Sequence, residues 1–169
     1  MNILNNHRMI TRIRGYPDRL ASIQQKFGCA VNDVSIFVVN PDGNIMNEIA
    51  NFQEKLRAYT FALETCKSYT EAFLSDIDVD ILTIRSKIVA NRSLNADPFE
   101  VGGKNIPDST VLTLETEKAI AQKMLAECSE RIEYVRTVRR TLQAIEDEQT
   151  LARLVQLEKE LATNIKLRG

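Results

Sequence analysis

The sequence predicts an all-α protein, mainly a long antiparallel helical hairpin or coiled coil, with a short N-terminal helix and an extended segment before it. Two observations predict this. Residues 44–97 and 109–168 contain neither glycine nor proline. Most of each stretch also places apolar residues at alternating four- and three-residue steps, the spacing that lines one face of a helix.

Taken in order, Pro17 and Asp18 followed by Leu20, Ile23, Phe27 and Gly28 predict a short helix, with proline near its start and glycine just past its end. The β-branched run from Val34 to Val39 then reads as an extended segment, closed by the turn signal Asn40, Pro41, Asp42, Gly43. Its one plausible strand partner is the run from Thr110 to Leu114. The favoured expectation is instead that both runs lie as extended or helical lids over the hairpin end, because short apolar runs specify strands weakly.

The first long helix is expected from near Asn44 toward Asn91, with the stripe Ile45, Ile49, Phe52, Leu56, Tyr59, Leu63, Cys66, Thr70, Phe73, Ile77. Near Ser75 to Asp80 the helix propensity weakens and the apolar register shifts by an extra four-residue step, which predicts a stutter or bend, or else a break into two helices. Asp76, Asp78 and Asp80 have the spacing of the first ligands of a calcium loop, but Ile81 stands where glycine is needed and Lys87 where glutamate is needed. Solvated carboxylates are expected there. Residues 95–109 hold Pro98, Gly102, Gly103 and Pro107 and form the hairpin connection. A phosphate-binding loop around Gly103 and Lys104 fails, since Pro98 and Asn105 stand where glycine and serine or threonine are required.

The second long helix should open on Asp108, Ser109 or Thr110 as its cap. Its stripe is Ala121, Met124, Leu125, Cys128, Ile132, Val135, Val138, Leu142, Ile145, interrupted by Glu146, Asp147 and Glu148. Beyond that cluster, Leu151, Leu154, Leu157, Leu161 and Ile165 form a leucine-rich tail. The tail is expected to be an oligomer interface, unless the short N-terminal helix and the Val34 to Val39 segment cover it. The organisation is therefore residues 1–43, then a hairpin over 44–150, then a tail over 151–169. A two-helix hairpin leaves much apolar surface wet for its mass, so self-association into a homo-oligomer is the expected remedy.

Composition narrows the functions. The 22 lysines and arginines balance 23 aspartates and glutamates, so no whole-protein attraction to nucleic acid or anionic lipid is predicted. The charge is uneven, however, with Arg8, Arg12, Arg14, Arg19 and Lys26 at a basic start and an acidic middle. His7 is the one histidine, and Cys29, Cys66 and Cys128 form no CxxC pair, so no metal and no cofactor is expected. The cysteines read as small core hydrophobes. No apolar run approaches the roughly 18 residues of a membrane span, and the first ten residues lack a secretory core. A cytoplasmic protein without a membrane partner is expected, in the host cytoplasm if it is viral. No nucleophile motif is present, and no catalytic residue is assigned.

The most concentrated cationic feature is Arg131, Tyr134, Arg136, Arg139 and Arg140. Guanidinium groups grip phosphates and a tyrosine can stack on a base, so these five form the candidate nucleic-acid site. The alternative pairs the arginines with Glu127, Glu130, Glu133 or carboxylates of the facing helix.

The order of elements resembles the UvsY-type recombination mediators of bacteriophages. The features that carry it are a short N-terminal helical unit, a long helix, the connection at Gly102 and Gly103, and residues 126–134, where Cys128, Arg131 and Tyr134 sit among Glu127, Glu130 and Glu133. The resemblance covers most of residues 20–155. It implies a homo-oligomeric ring that binds single-stranded DNA and helps a recombinase displace single-strand-binding protein. A structural or adaptor protein working through protein-protein contacts is the alternative.

Overall fold

Four α-helices follow one another in the computed structural model: α1 (Ile3–Asn32), α2 (Ile45–Leu94), α3 (Ser109–Glu148) and α4 (Leu151–Arg168). The structure describes residues 3–32, 39–94 and 109–168, with side chains in 7–30, 39–87 and 110–164. No strand occurs among the described residues.

The expected short first helix is corrected: α1 has 30 residues and runs through Pro17 and Gly28. Proline inside a helix costs about 3 kcal/mol, because it removes one hydrogen bond and crowds a carbonyl. The stripe Met9, Tyr16, Leu20, Ile23 is buried on both sides of it. At about 1.5–3 kcal/mol for each large apolar side chain, that burial outweighs the defect.

Of the extended segment, residues 33–38 lie outside the described residues. Val39 is buried in irregular backbone, and its N–H donates to Glu158 Oε2 at 3.1 Å. The turn after it forms as its residues require. Gly43 N–H donates to Asn40 O at 3.1 Å, and Asp42 N–H to the Asn40 side-chain oxygen at 3.1 Å. A Cβ on Gly43 would sit 2.7 Å from Glu48 Oε1. Asn44 then caps α2, its Oδ1 accepting from the N–H of Met46 at 3.0 Å.

α2 continues unbroken through Ser75 to Asp80, so the break into two helices does not occur. Thr110 to Leu114 is the first turn and a half of α3 rather than a strand. Residues 95–108 of the connection, with the candidate cap Asp108, lie outside the described residues. α3 ends where the acidic cluster predicted an interruption. Gln149 adopts φ 52°, its N–H donates to Ile145 O at 2.7 Å, and α4 starts after Thr150.

The chain divides into two compact units, Met1–Gln24 with Tyr69–Leu125, and Gln25–Ser68 with Ala126–Gly169. The expected division into 1–43, 44–150 and 151–169 follows the order of the chain, whereas α1, α2 and α3 each contribute to both of these units.

In the first unit, segments of α1, α2 and α3 come together. Arg12 donates to Asp80 through Nη2 at 2.6 Å and Nε at 3.1 Å, and Arg19 pairs with Asp76 at 2.8 Å, so α1 runs antiparallel to α2. Lys118 pairs with Asp78 at 2.6 Å and Arg85 with Glu115, so α3 is antiparallel to α2 as well. Tyr16 and Phe73 meet edge to face at 5.4 Å between ring centres, with the Arg19 guanidinium 5.6 Å from the Phe73 centre. Of the three aspartates expected to be solvated, Asp76 is exposed and Asp78 partly exposed, both ion-paired, whereas Asp80 is buried.

In the second unit, one core gathers Val39, then Ile49, Phe52, Leu56, Tyr59 and Leu63 of α2, Ile132, Val135, Val138, Leu142 and Ile145 of α3, and Leu154, Leu157 and Leu161 of α4. Phe27 and Ala30 of α1 border it. α4 folds back against α3, and Asn164 Nδ2 donates to the Tyr134 hydroxyl at 2.7 Å. The tail is therefore part of the core, which corrects its reading as an oligomer interface. Leu154 and Leu161 are fully buried, Leu157 is buried, and Leu151 lies half-buried against the core. The Ile165 side chain lies outside the described residues. In each unit a further helix of the same chain covers the α2–α3 stripe, while Phe61, Leu82 and Leu112 stay exposed outside it.

Candidate nucleic-acid interface

The five residues singled out on α3 do not share a face. At 100° per residue, Arg131 falls with Val135 and Val138 on the core side, and it is buried with Nη1 lacking a hydrogen-bond partner among the described residues. Tyr134 falls on the flank toward α4, half-buried, with its hydroxyl held by Asn164. Neither is placed to meet an extended nucleic acid, and both leave the candidate set. The physical reason is the register of the stripe, which makes residue 131 a core position despite its charge.

Arg136, Arg139 and Arg140 remain, all exposed, with Arg139 on the opposite flank and Arg136 and Arg140 turned further toward the outer face. Arg136 pairs with Glu133 at 2.8 Å across one helical turn, both side chains well exposed, a contact worth little in water. Arg139 and Arg140 have no ion pair among the described residues.

Arg139 instead lines a polar cleft of about 350 Å3, formed by Gln53, Leu56 and Arg57 of α2 and by Arg139, Leu142 and Gln143 of α3. Leu56 and Leu142 are core residues that place their neighbours along the seam between the helices. Arg57 has no ion pair among the described residues either. Two guanidinium groups without carboxylate partners thus converge on one concavity, with two glutamine amides beside them. Like charges brought together in this way attract an anion, and planar guanidinium donors match phosphate oxygens. The basic stretch stops about two turns further along α3, where Gln53 Nε2 donates to Glu146 at 3.4 Å and Gln143 to Asp147 at 3.2 Å.

Arg57 was not singled out from the sequence, where it is an isolated cation on a helical flank. An antiparallel alignment of the two stripes would have found it, because that alignment sets residues near 57 opposite residues near 139.

A second concavity in this unit is apolar. Gln25, Lys26, Cys29 and Ala30 of α1 and Phe61, Ala62, Thr65 and Cys66 of α2 line a groove of about 520 Å3. Phe61 at its edge is 72% exposed. Among the described residues no group of histidines, cysteines or carboxylates could hold a metal ion, and no helix is long and apolar enough to cross a membrane.

No family model, no curated protein and no solved structure matches the chain.

Proposed function

We propose that this protein is a non-catalytic accessory factor that binds single-stranded DNA through the Arg57–Arg139 cleft and the neighbouring Arg136 and Arg140. The single observation behind this reading is that Arg57 and Arg139, neither with a carboxylate partner among the described residues, line one polar concavity. A spaced row of cations suits a phosphate backbone better than a lone small anion, and it carries no base preference. Recombinase loading, in a homo-oligomer that repeats the patch, is the role implied by the resemblance to phage recombination mediators and is carried here as part of the proposal. Repetition would add multivalent affinity to a patch that is modest in one copy.

Fluorescence anisotropy with a labelled single-stranded oligonucleotide at two salt concentrations tests it. Wild-type binding should weaken steeply with salt. A variant with Arg57→Ala, Arg139→Ala and Arg140→Ala should bind at least about tenfold more weakly, with a salt slope reduced by about two. Unchanged affinity in a folded variant overturns the assignment. A native mass recorded in the same buffers reports whether DNA and assembly are linked.

One observation favours a second reading, an adaptor that binds another protein. Phe61 stands largely in water beside an apolar groove, an arrangement typical of a side chain that is covered in a complex. Absence of DNA binding by the wild-type protein, with loss of a captured partner on Phe61→Ser, would transfer the function to this surface.

A further inference from the structure

All three cysteines of the chain come to one place in the second unit. Cys66 of α2 and Cys128 of α3 are buried and in hydrogen-bond contact with each other across the helix pair. Cys29 of α1 is exposed and lines the apolar groove together with Cys66. The thiol pair thus has a solvent-connected side, the groove, and a core side. Arg131, one turn beyond Cys128, is buried and close enough to act electrostatically on the Cys128 thiol. Its Nη1 has no hydrogen-bond partner among the described residues.

Packing alone does not account for this grouping. Two core cysteines fill space as small hydrophobes wherever they stand, yet here they face each other, with a buried cation beside them. In the reduced protein the contact with Cys66 and burial hold the Cys128 thiol above its usual range, which keeps the pair quiet. The Arg131 guanidinium acts in the other direction on Cys128, favouring the thiolate form in which that sulfur attacks an oxidised Cys66. We propose that Cys66 and Cys128 form a reversible intrachain disulfide that responds to hydroperoxides and links α2 covalently to α3. This inference does not rest on DNA binding.

The chemistry balances. Hydrogen peroxide enters through the groove, and the Cys66 thiolate attacks one peroxide oxygen. An S–O bond forms, the O–O bond breaks, and hydroxide leaves to take up the thiol proton, giving water and a Cys66 sulfenic acid. The Cys128 sulfur then attacks the Cys66 sulfur, an S–S bond replaces the S–O bond, and the departing hydroxide takes the Cys128 proton as a second water. Two thiols lose two electrons to one peroxide, and a small dithiol reverses the result by exchange.

The full chain with Cys29→Ser, which removes the exposed thiol, is reduced, freed of reductant and treated with one equivalent of hydrogen peroxide. Intact mass should then fall by two hydrogens, peptide mapping should show Cys66 joined to Cys128, and Tm should rise by on the order of 10 °C, all reversed by dithiothreitol. Wild-type protein with Cys29 capped by brief alkylation should give the same map, so the test does not depend on the variant folding. Oxygen added at either cysteine without a cross-link, disulfides between chains only, or no reaction in the native state would each overturn the proposal.

Discussion

Asp80 shows how a charge can be structural at a position that looks solvated. Its carboxylate is buried, takes two hydrogen bonds from Arg12, and accepts a third from the Tyr16 hydroxyl at 2.5 Å. Burial, and then this bond to Asp80, push the Tyr16 hydroxyl above its usual range, so it stays a donor. The hydrogen bond to Asp80 likewise holds Arg12 more firmly protonated. Asp80→Ala would strip a buried donor of its acceptor and leave a guanidinium unpaired. The expected cost is about 3 kcal/mol in urea unfolding, and a loss of only a few tenths would show the network to be incidental. Glu117 is the opposite case. It is buried, its Oε2 lacks a partner among the described residues, and burial raises its pKa from 4.5. The native state therefore holds this proton more tightly than the unfolded chain does. Stability from this group falls as pH rises from the unfolded value through the raised native one, and the charged form is penalised above that window. Glu117→Gln should raise Tm at neutral pH and flatten its decline above about 4.5. An unchanged Tm at pH 7 would contradict the argument.

At the scale of elements, the stripes of α2 and α3 were legible because the alternating step states which residues are inward, and nearly every named stripe residue is buried. The end of α3 was legible too, since three acidic residues interrupt the stripe there. The extent of α1 was not, because proline and glycine mark helix ends by local preference, while the contacts that carry α1 through Pro17 come from α2. The link between α3 and α4 rests on one strained residue, Gln149 at φ 52°. A side chain in the left-handed region costs about 1 kcal/mol relative to glycine. Gln149→Gly should therefore stabilise by about 0.5–1 kcal/mol, measured as an increase in denaturation midpoint with unchanged slope. A lower midpoint would mean that the Gln149 side chain contributes contacts that outweigh its backbone strain.

For the whole molecule, the pairing of distant segments decides what the chain presents to its surroundings. The basic start and acidic middle, which read as separate surface regions, meet within the first unit as Arg12 with Asp80 and Arg19 with Asp76. The leucines of α4 fill the second core rather than a free surface. Deleting residues 151–169 should consequently expose Phe52, Leu142 and their neighbours, with loss of cooperative unfolding in circular dichroism or aggregation. A truncated chain that keeps its Tm and only changes its native mass would restore the tail as an assembly element. Of the candidate site, Arg136, Arg139 and Arg140 could be named from composition and spacing, Arg57 and the core register of Arg131 follow once the two stripes are aligned, and the hold of Asn164 on Tyr134 belongs to the fold alone. Periodicity along one chain determines which residues form helices and which face of each is apolar, because it reflects the geometry of a single helix. Which face meets which, and therefore which charges are matched, which are not and which cysteines touch, depends on contacts between residues 30 or more positions apart, and these exist only in the folded chain.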